Sequence, residues 1–193
     1  MTKGVFLVGV GGQGIILAAD VLARTLLEAG FDVKLSEVHG MSQRGGSVYT
    51  SVKFGDKVHS PLVERGEADY LVAFEQMEAA RWISHLRPGG KVITSDEKIY
   101  PLSVLLGIDE YPNDLLGALE EYGVEINIVS AIELAEKAGN RRAANVALLG
   151  ALAQELPVDV ETWRSVIKER VPVKTIEINL KAFDLGYECA VVR

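Results

Sequence analysis

The chain has 193 residues, nearly half of them apolar, which suffices for one domain with a real core. Twenty Lys and Arg against 27 Asp and Glu leave a net charge of −7, which argues against a nucleic-acid surface. One cysteine allows no internal disulfide and no four-cysteine cluster, and three dispersed histidines give no zinc spacing, so no metal is expected.

Val5 to Val10 reads as a strand that runs into a Gly-x-Gly-x-x-Gly turn, Gly9, Gly11 and Gly14, with Gly12 and Gln13 inside it. The segment from about Gln13 to Ala29 reads as a helix closed by Gly30. Its polar positions Asp20, Arg24 and Glu28 share one narrow face, so the rest is mostly buried. The uncharged run from Lys3 to Asp20 is broken by five glycines and is shorter than the roughly 20 residues a membrane span needs. It also lacks the continuous apolar core of a signal peptide, so the expectation is a cytoplasmic protein without a membrane segment.

Asp32 to Val38 reads as a second strand. The polar, glycine-rich stretch Glu37, Val38, His39, Gly40, Met41, Ser42, Gln43, Arg44, Gly45, Gly46 has no hydrophobic period and reads as a loop. Ser47 to Phe54 alternates, with Val48, Thr50, Val52 and Phe54 on one face. Gly55-Asp56 suits a type II′ turn that returns through Lys57 to Ser60, an inserted β-hairpin. Tyr70 to Phe74 is a buried parallel strand. Glu75 to Leu86 is a helix, Lys91 to Ser95 a strand, Asp114 to Tyr122 a helix and Val124 to Val129 a strand; Pro101 to Pro112 shows no clear period. Ser130-Ala131-Ile132-Glu133 has the form of a capping box. Helices over Arg141–Leu156, Asp159–Arg170 and Thr175–Leu185 follow, the last closed by Gly186. The sum is an α/β fold: a Rossmann-like three-layer, mostly parallel sheet over residues 1–130, with the inserted hairpin, and a helical part over 131–193.

The glycine turn has two readings. One is dinucleotide binding, with Glu37, 23 residues after Gly14, as the ribose acid of a stand-alone NAD(P)-binding oxidoreductase. The other is tight strand–helix packing, favoured by the amide of Gln13 at the helix start and by the long polar loop after Glu37. In that loop Ser42, Gln43, Arg44, Gly45 and Gly46 offer a backbone nest and a guanidinium fork for an anion, and Met41 suits contact with a partner. Glu37 and His39, two apart on an extended segment, share a face and allow acid–base work, although a structural or interface histidine is preferred. Arg141 and Arg142 oppose the dipole of a helix start, which suits either a solvated pair or a pair facing an acidic partner or an anion. Cys189 is expected to be inert. No catalytic residue emerges.

Taken together, Gly9-Val10-Gly11-Gly12-Gln13-Gly14 and Glu37 through Gly46 resemble the gamma-type subunit of 2-oxoacid:ferredoxin oxidoreductases, nearest the beta subunit of the indolepyruvate branch. Asn145 to Gly150 and Asn179 to Gly186 are similar to that family's later segments. The resemblance implies oxidative decarboxylation of an aryl pyruvate from aromatic amino-acid catabolism. Thiamine diphosphate, Mg2+ and iron–sulfur clusters would act, ferredoxin would take the electrons and coenzyme A the acyl group. This chain has neither a cluster set nor the Gly-Asp-Gly and paired-asparagine signature of a diphosphate–magnesium site. The cofactors are therefore expected on a larger alpha-type partner in a hetero-oligomer. The glycine turn and the Ser42–Gly46 loop would shape the interface or help bind coenzyme A as a co-substrate. A third reading is a pure assembly module on the same fold.

Overall fold

The structure, a computed structural model, describes residues 2–37, 46–121 and 123–191. Six strands form one sheet: β1 (Lys3–Val10), β2 (Asp32–Glu37), β3 (Ser47–Gly55), β4 (Ala68–Ala73), β5 (Leu86–Ser95) and β6 (Glu125–Val129), in the order β2-β3-β1-β4-β5-β6. β1, β4, β5 and β6 are parallel, and β3 runs antiparallel to both β1 and β2. The helices are α1 (Ile15–Glu28), α2 (Gln76–Trp82), α3 (Leu102–Leu105), α4 (Leu115–Glu121), α5 (Ala131–Ala138), α6 (Ala144–Ala153), α7 (Val160–Arg170) and α8 (Ile176–Val191).

β1 is buried on both faces because its two alternating sets meet two cores. Val5 and Leu7 pack with α1, α6 and α7; Phe6 and Val8 pack with α2 and α4. Helices therefore cover both sides of the sheet, as the three-layer reading expects. α6 is apolar all round except for Asn145 and buried along its length, a helix held between the sheet and α8 rather than at the surface. Gly30 has φ +88°, and two backbone bonds close α1: Gly30 N to Leu27 O (3.0 Å) and Phe31 N to Leu26 O (3.1 Å). That is the paired closure which favours glycine just past a helix end.

Five expectations are corrected. The helix expected over Glu75–Leu86 is α2 only as far as Trp82, a 3-10 turn over Ile83–His85 follows, and Leu86 already opens β5, where it pairs with Ala68. The antiparallel insertion is present, but β3 pairs with β2, not with Lys57–Ser60, which leaves the sheet. β3 also satisfies the whole edge of β1, from Lys3↔Phe54 to Val10↔Ser47, which a short charged return strand would not. The Ser130 hydroxyl does not cap α5: it donates to Asp96 Oδ2 (2.7 Å), and Glu133 pairs with Lys137 (2.6 Å). Arg141–Ala143 is a separate 3-10 turn ahead of α6. Gly186 does not end α8, which runs on to Val191; it lies where α8 crosses α6. Val38 and Tyr122, assigned above to a strand and a helix, lie outside the described residues. No helix among the described residues is long and apolar enough to cross a membrane.

Candidate functional site

α1 follows β1 on one face of the sheet and α2 follows β4 on the other, so the chain divides at the C-terminal ends of β1 and β4. A crevice opens at such a point in α/β sheets. Here it is a cleft of about 440 Å³ that includes Gly12, Gln13, Gly14, Glu97, Arg141 and Asn145 in its walls.

Gln13 is its central side chain. Its Oε1 accepts from Val10 N (2.7 Å), and its Nε2 donates to Phe74 O (2.8 Å) and to Glu97 Oε2 (3.0 Å). One amide thus joins the tips of β1 and β4 to the segment after β5. Arg141 faces Glu97 from across the cleft, Nη2 to Oε1 at 3.5 Å. Arg142, on the same turn, makes no ion pair among the described residues. Buried Asn145 donates from Nδ2 to Gly14 O (3.2 Å) and so fixes the start of α1 against α6.

The glycines of the turn do different work. A Cβ on Gly9 would sit 2.9 Å from Ile15 Cδ1 and 2.9 Å from Phe74 Cβ, so glycine there serves strand–helix packing. Gly14, at φ +80°, is the N-cap of α1, and a Cβ there would meet Asn145 Nδ2 at 2.5 Å. Gly12, at φ +104°, meets nothing within 4 Å and leaves its side of the turn open to the cleft. No side chain caps α1, so its first-turn amides lack the usual side-chain acceptor, and its N-cap Gly14 lies in the cleft wall. Gln13→Ala is expected to cost about 2 kcal/mol in urea unfolding, because Val10 N and Phe74 O lose their partner. An unchanged midpoint would mean that water replaces the amide at no cost.

The predicted residues are brought together only in part. Gly12, Gln13 and Gly14 line the cleft, Gly9 packs behind them against Ile15 and Phe74, and Gly11 N donates to Gly46 O (2.9 Å), which joins the end of the polar loop to the turn. Glu37 is not part of it. β3 lies between β1 and β2, and Glu37 pairs with Thr50, which in turn pairs with Leu7. That puts Glu37 two strands, about 10 Å, aside from β1 and level with a residue below the turn. The ribose acid of a dinucleotide site is therefore missing from its position. His39, Ser42, Gln43, Arg44 and Gly45 lie outside the described residues. Glu97 was not anticipated: it sits in an acidic stretch with no period to mark it.

A second polar cluster adjoins the cleft. Buried Glu75 caps α2 by accepting from Glu78 N (3.0 Å), and it also accepts from Ile99 N (3.2 Å) and from the Tyr111 hydroxyl. Burial, and then the carboxylate beside it, push the Tyr111 phenol well above its ordinary range, so it stays a donor. Glu78, also buried, accepts from Ser47, Arg81 and Trp82. Among the described residues no group of three or more His, Cys, Asp or Glu could hold a metal ion.

The family model for pyruvate ferredoxin/flavodoxin oxidoreductase matches residues 4–189. The chain belongs to this family. Within the pyruvate ferredoxin/flavodoxin oxidoreductase family it is similar to indolepyruvate oxidoreductase subunit IorB of Thermococcus kodakarensis, at 42% identity over 96% of this chain and 95% of that one. It is 29% identical to 2-oxoglutarate synthase subunit KorC of Methanothermobacter marburgensis, over 97% and 96%. Its fold matches the gamma subunit of a keto/oxoacid ferredoxin oxidoreductase from Geobacter sulfurreducens, with a TM-score of 0.74, 25% identity and 99% of each chain covered. The resemblance drawn from the paired N-terminal motifs therefore holds.

Proposed function

We propose that this chain is a cofactor-free subunit of a 2-oxoacid:ferredoxin oxidoreductase of the indolepyruvate type, and that it is inactive alone. The similarity to an indolepyruvate oxidoreductase subunit over nearly the full length of both chains carries this reading. Thiamine diphosphate, Mg2+ and the iron–sulfur clusters belong on a larger alpha-type partner, since one cysteine cannot ligate a cluster. The chain acts as a single gamma-type domain, with residues 1–130 as the α/β core and 131–193 as its helical part.

The cleft supports a share in binding coenzyme A. The N-terminus of α1 lacks a side-chain cap, Gly12 leaves room beside it, and Arg141 and Arg142 line the opposite wall. Helix-end amides and guanidinium groups are the donors a diphosphate needs. Gly12, Gln13 and Gly14 would meet the diphosphate, with Gly9, Gly11 and Gly46 supporting the turn, and Glu37, His39, Ser42, Gln43, Arg44 and Gly45 are assigned to cofactor binding or the partner interface. In the assembled enzyme Arg142→Ala is expected to raise the KM for coenzyme A by about tenfold, the worth of one charge-assisted hydrogen bond, with kcat little changed. An unchanged KM would take Arg142 out of the site.

Purification from native cells tests the subunit reading. A larger chain that co-elutes with thiamine diphosphate and iron–sulfur absorbance supports it. A chain that elutes alone and binds NAD(P)H would restore the stand-alone oxidoreductase.

A further inference from the structure

Among the described residues, five of the nine exposed large apolar side chains fall within residues 100–108. Leu102, Leu105 and Leu106 are 70%, 68% and 64% exposed, and Ile108 is 72% exposed. The three leucines are spaced i, i+3, i+4, so they share one face of α3 and its C-terminal end. A surface helix of a lone protein turns such a stripe inward. This one leaves Ser103 and Val104 half-buried and presents the leucines to water.

The stripe is held out on a fixed base. Glu75 accepts from Ile99 N and from the Tyr111 hydroxyl, one residue on each side of the excursion. Tyr100 packs edge-on against Tyr111, at 5.2 Å between ring centroids. The excursion starts just after Glu97, which lies in the wall of the cleft. Acidic groups prevail in the segment that follows the leucines: Asp109, Glu110 and Asp114 are all exposed, against one exposed lysine ahead of them, Lys98, which lies over the Tyr111 ring at 5.8 Å from its centroid.

We propose that this stripe is the docking surface for the large thiamine-diphosphate subunit, which meets it with an apolar groove rimmed by Lys and Arg. The inference rests on the subunit reading above. Charge decides between the large subunit and a second copy of this chain. Two copies would bring acidic segments together on chains that each carry −7, whereas a basic rim satisfies them.

The test is binding of the full-length chain to the separately purified large subunit. Variants are Leu105→Ser/Leu106→Ser, Asp109→Lys/Glu110→Lys and, as a control between α7 and α8, Val173→Ser, whose side chain is 85% exposed. The leucine pair is expected to weaken binding roughly 100-fold, as loss of a central apolar anchor does. The lysine pair is expected to weaken it about tenfold and to flatten its salt dependence. The control should bind as the wild type does, and all variants should keep the wild-type thermal midpoint alone. Wild-type binding by the leucine pair overturns the docking surface and leaves the subunit reading intact. A wild-type dimer in sedimentation that the leucine pair dissolves also overturns it, in favour of a second copy. Failure of the wild-type chain itself to bind the large subunit overturns the subunit reading.

Discussion

Gly186→Ala is expected to destabilise the fold by about 3 kcal/mol, although alanine is the better helix former by about 1 kcal/mol. α6 and α8 cross at Gly150 and Gly186. A Cβ on Gly186 would lie 2.7 Å from Ala147 C and closer still to Ala147 O; on Gly150 it would lie 2.7 Å from Tyr187 N and closer still to Phe183 O. These neighbours are backbone atoms within helices and cannot swing aside as a side-chain tip does. The helices must separate, and the seam of Ala135, Ala138, Ala143, Ala147 and Ala182 opens with them. The packing of Phe183 on Trp163, at 5.9 Å between ring centroids, is strained as well. Urea unfolding measures the change. A gain near 1 kcal/mol instead would mean that propensity rules at this crossing and that the helices do not meet backbone to backbone.

The second large effect is expected at Glu75. Glu75→Ala removes the α2 cap, worth about 1 kcal/mol, and strips a buried acceptor from two further donors, so a loss of about 3 kcal/mol is expected. Glu75→Gln keeps an acceptor oxygen but loses the charge favoured at a helix N-terminus, and about 1 kcal/mol with it. The two should also differ in where the protein loosens. In Glu75→Ala, backbone amides from Ile99 to Tyr111 should exchange faster with deuterium, while those of α6 and α8 keep their protection. Unaltered exchange over 99–111 would show that the excursion does not depend on this carboxylate.

What was legible in the sequence was whatever a local period or turn determines. The apolar run of β1, the α1 stripe with Gly30 behind it, the faces of β3 and the alternation of strands and helices that makes an α/β fold appear as expected, whereas α3 lies in a stretch with no period to announce it. Pairing was not legible, because it is set by distant strands. Nothing local says that β3 fills the edge of β1, yet that one choice moves Glu37 two strands from the glycine turn and away from the place a ribose acid needs.

The same limit governs the site. The glycine turn announced itself, and the inward Asn145 lies in a segment marked by the family resemblance. The use of Gln13 as a bridge between strand tips, and of Glu97 as its partner, needs the fold to bring residues 84 positions apart within 3.0 Å. Ser130-Ala131-Ile132-Glu133 carried the letters of a capping box, but Asp96 and Lys137 offered its side chains better partners. Gly186 looked like a helix stop because a glycine that admits a neighbouring helix and one that ends its own helix are written alike.

The central claim is that this chain completes an oxidoreductase whose chemistry resides on another subunit. The most direct measurement is indolepyruvate- and coenzyme A-dependent reduction of ferredoxin by the large subunit, this chain, and the two mixed. Neither alone is expected to turn over, and the mixture is expected to turn over at a rate that saturates as this chain is added. Full activity of the large subunit by itself would contradict that claim.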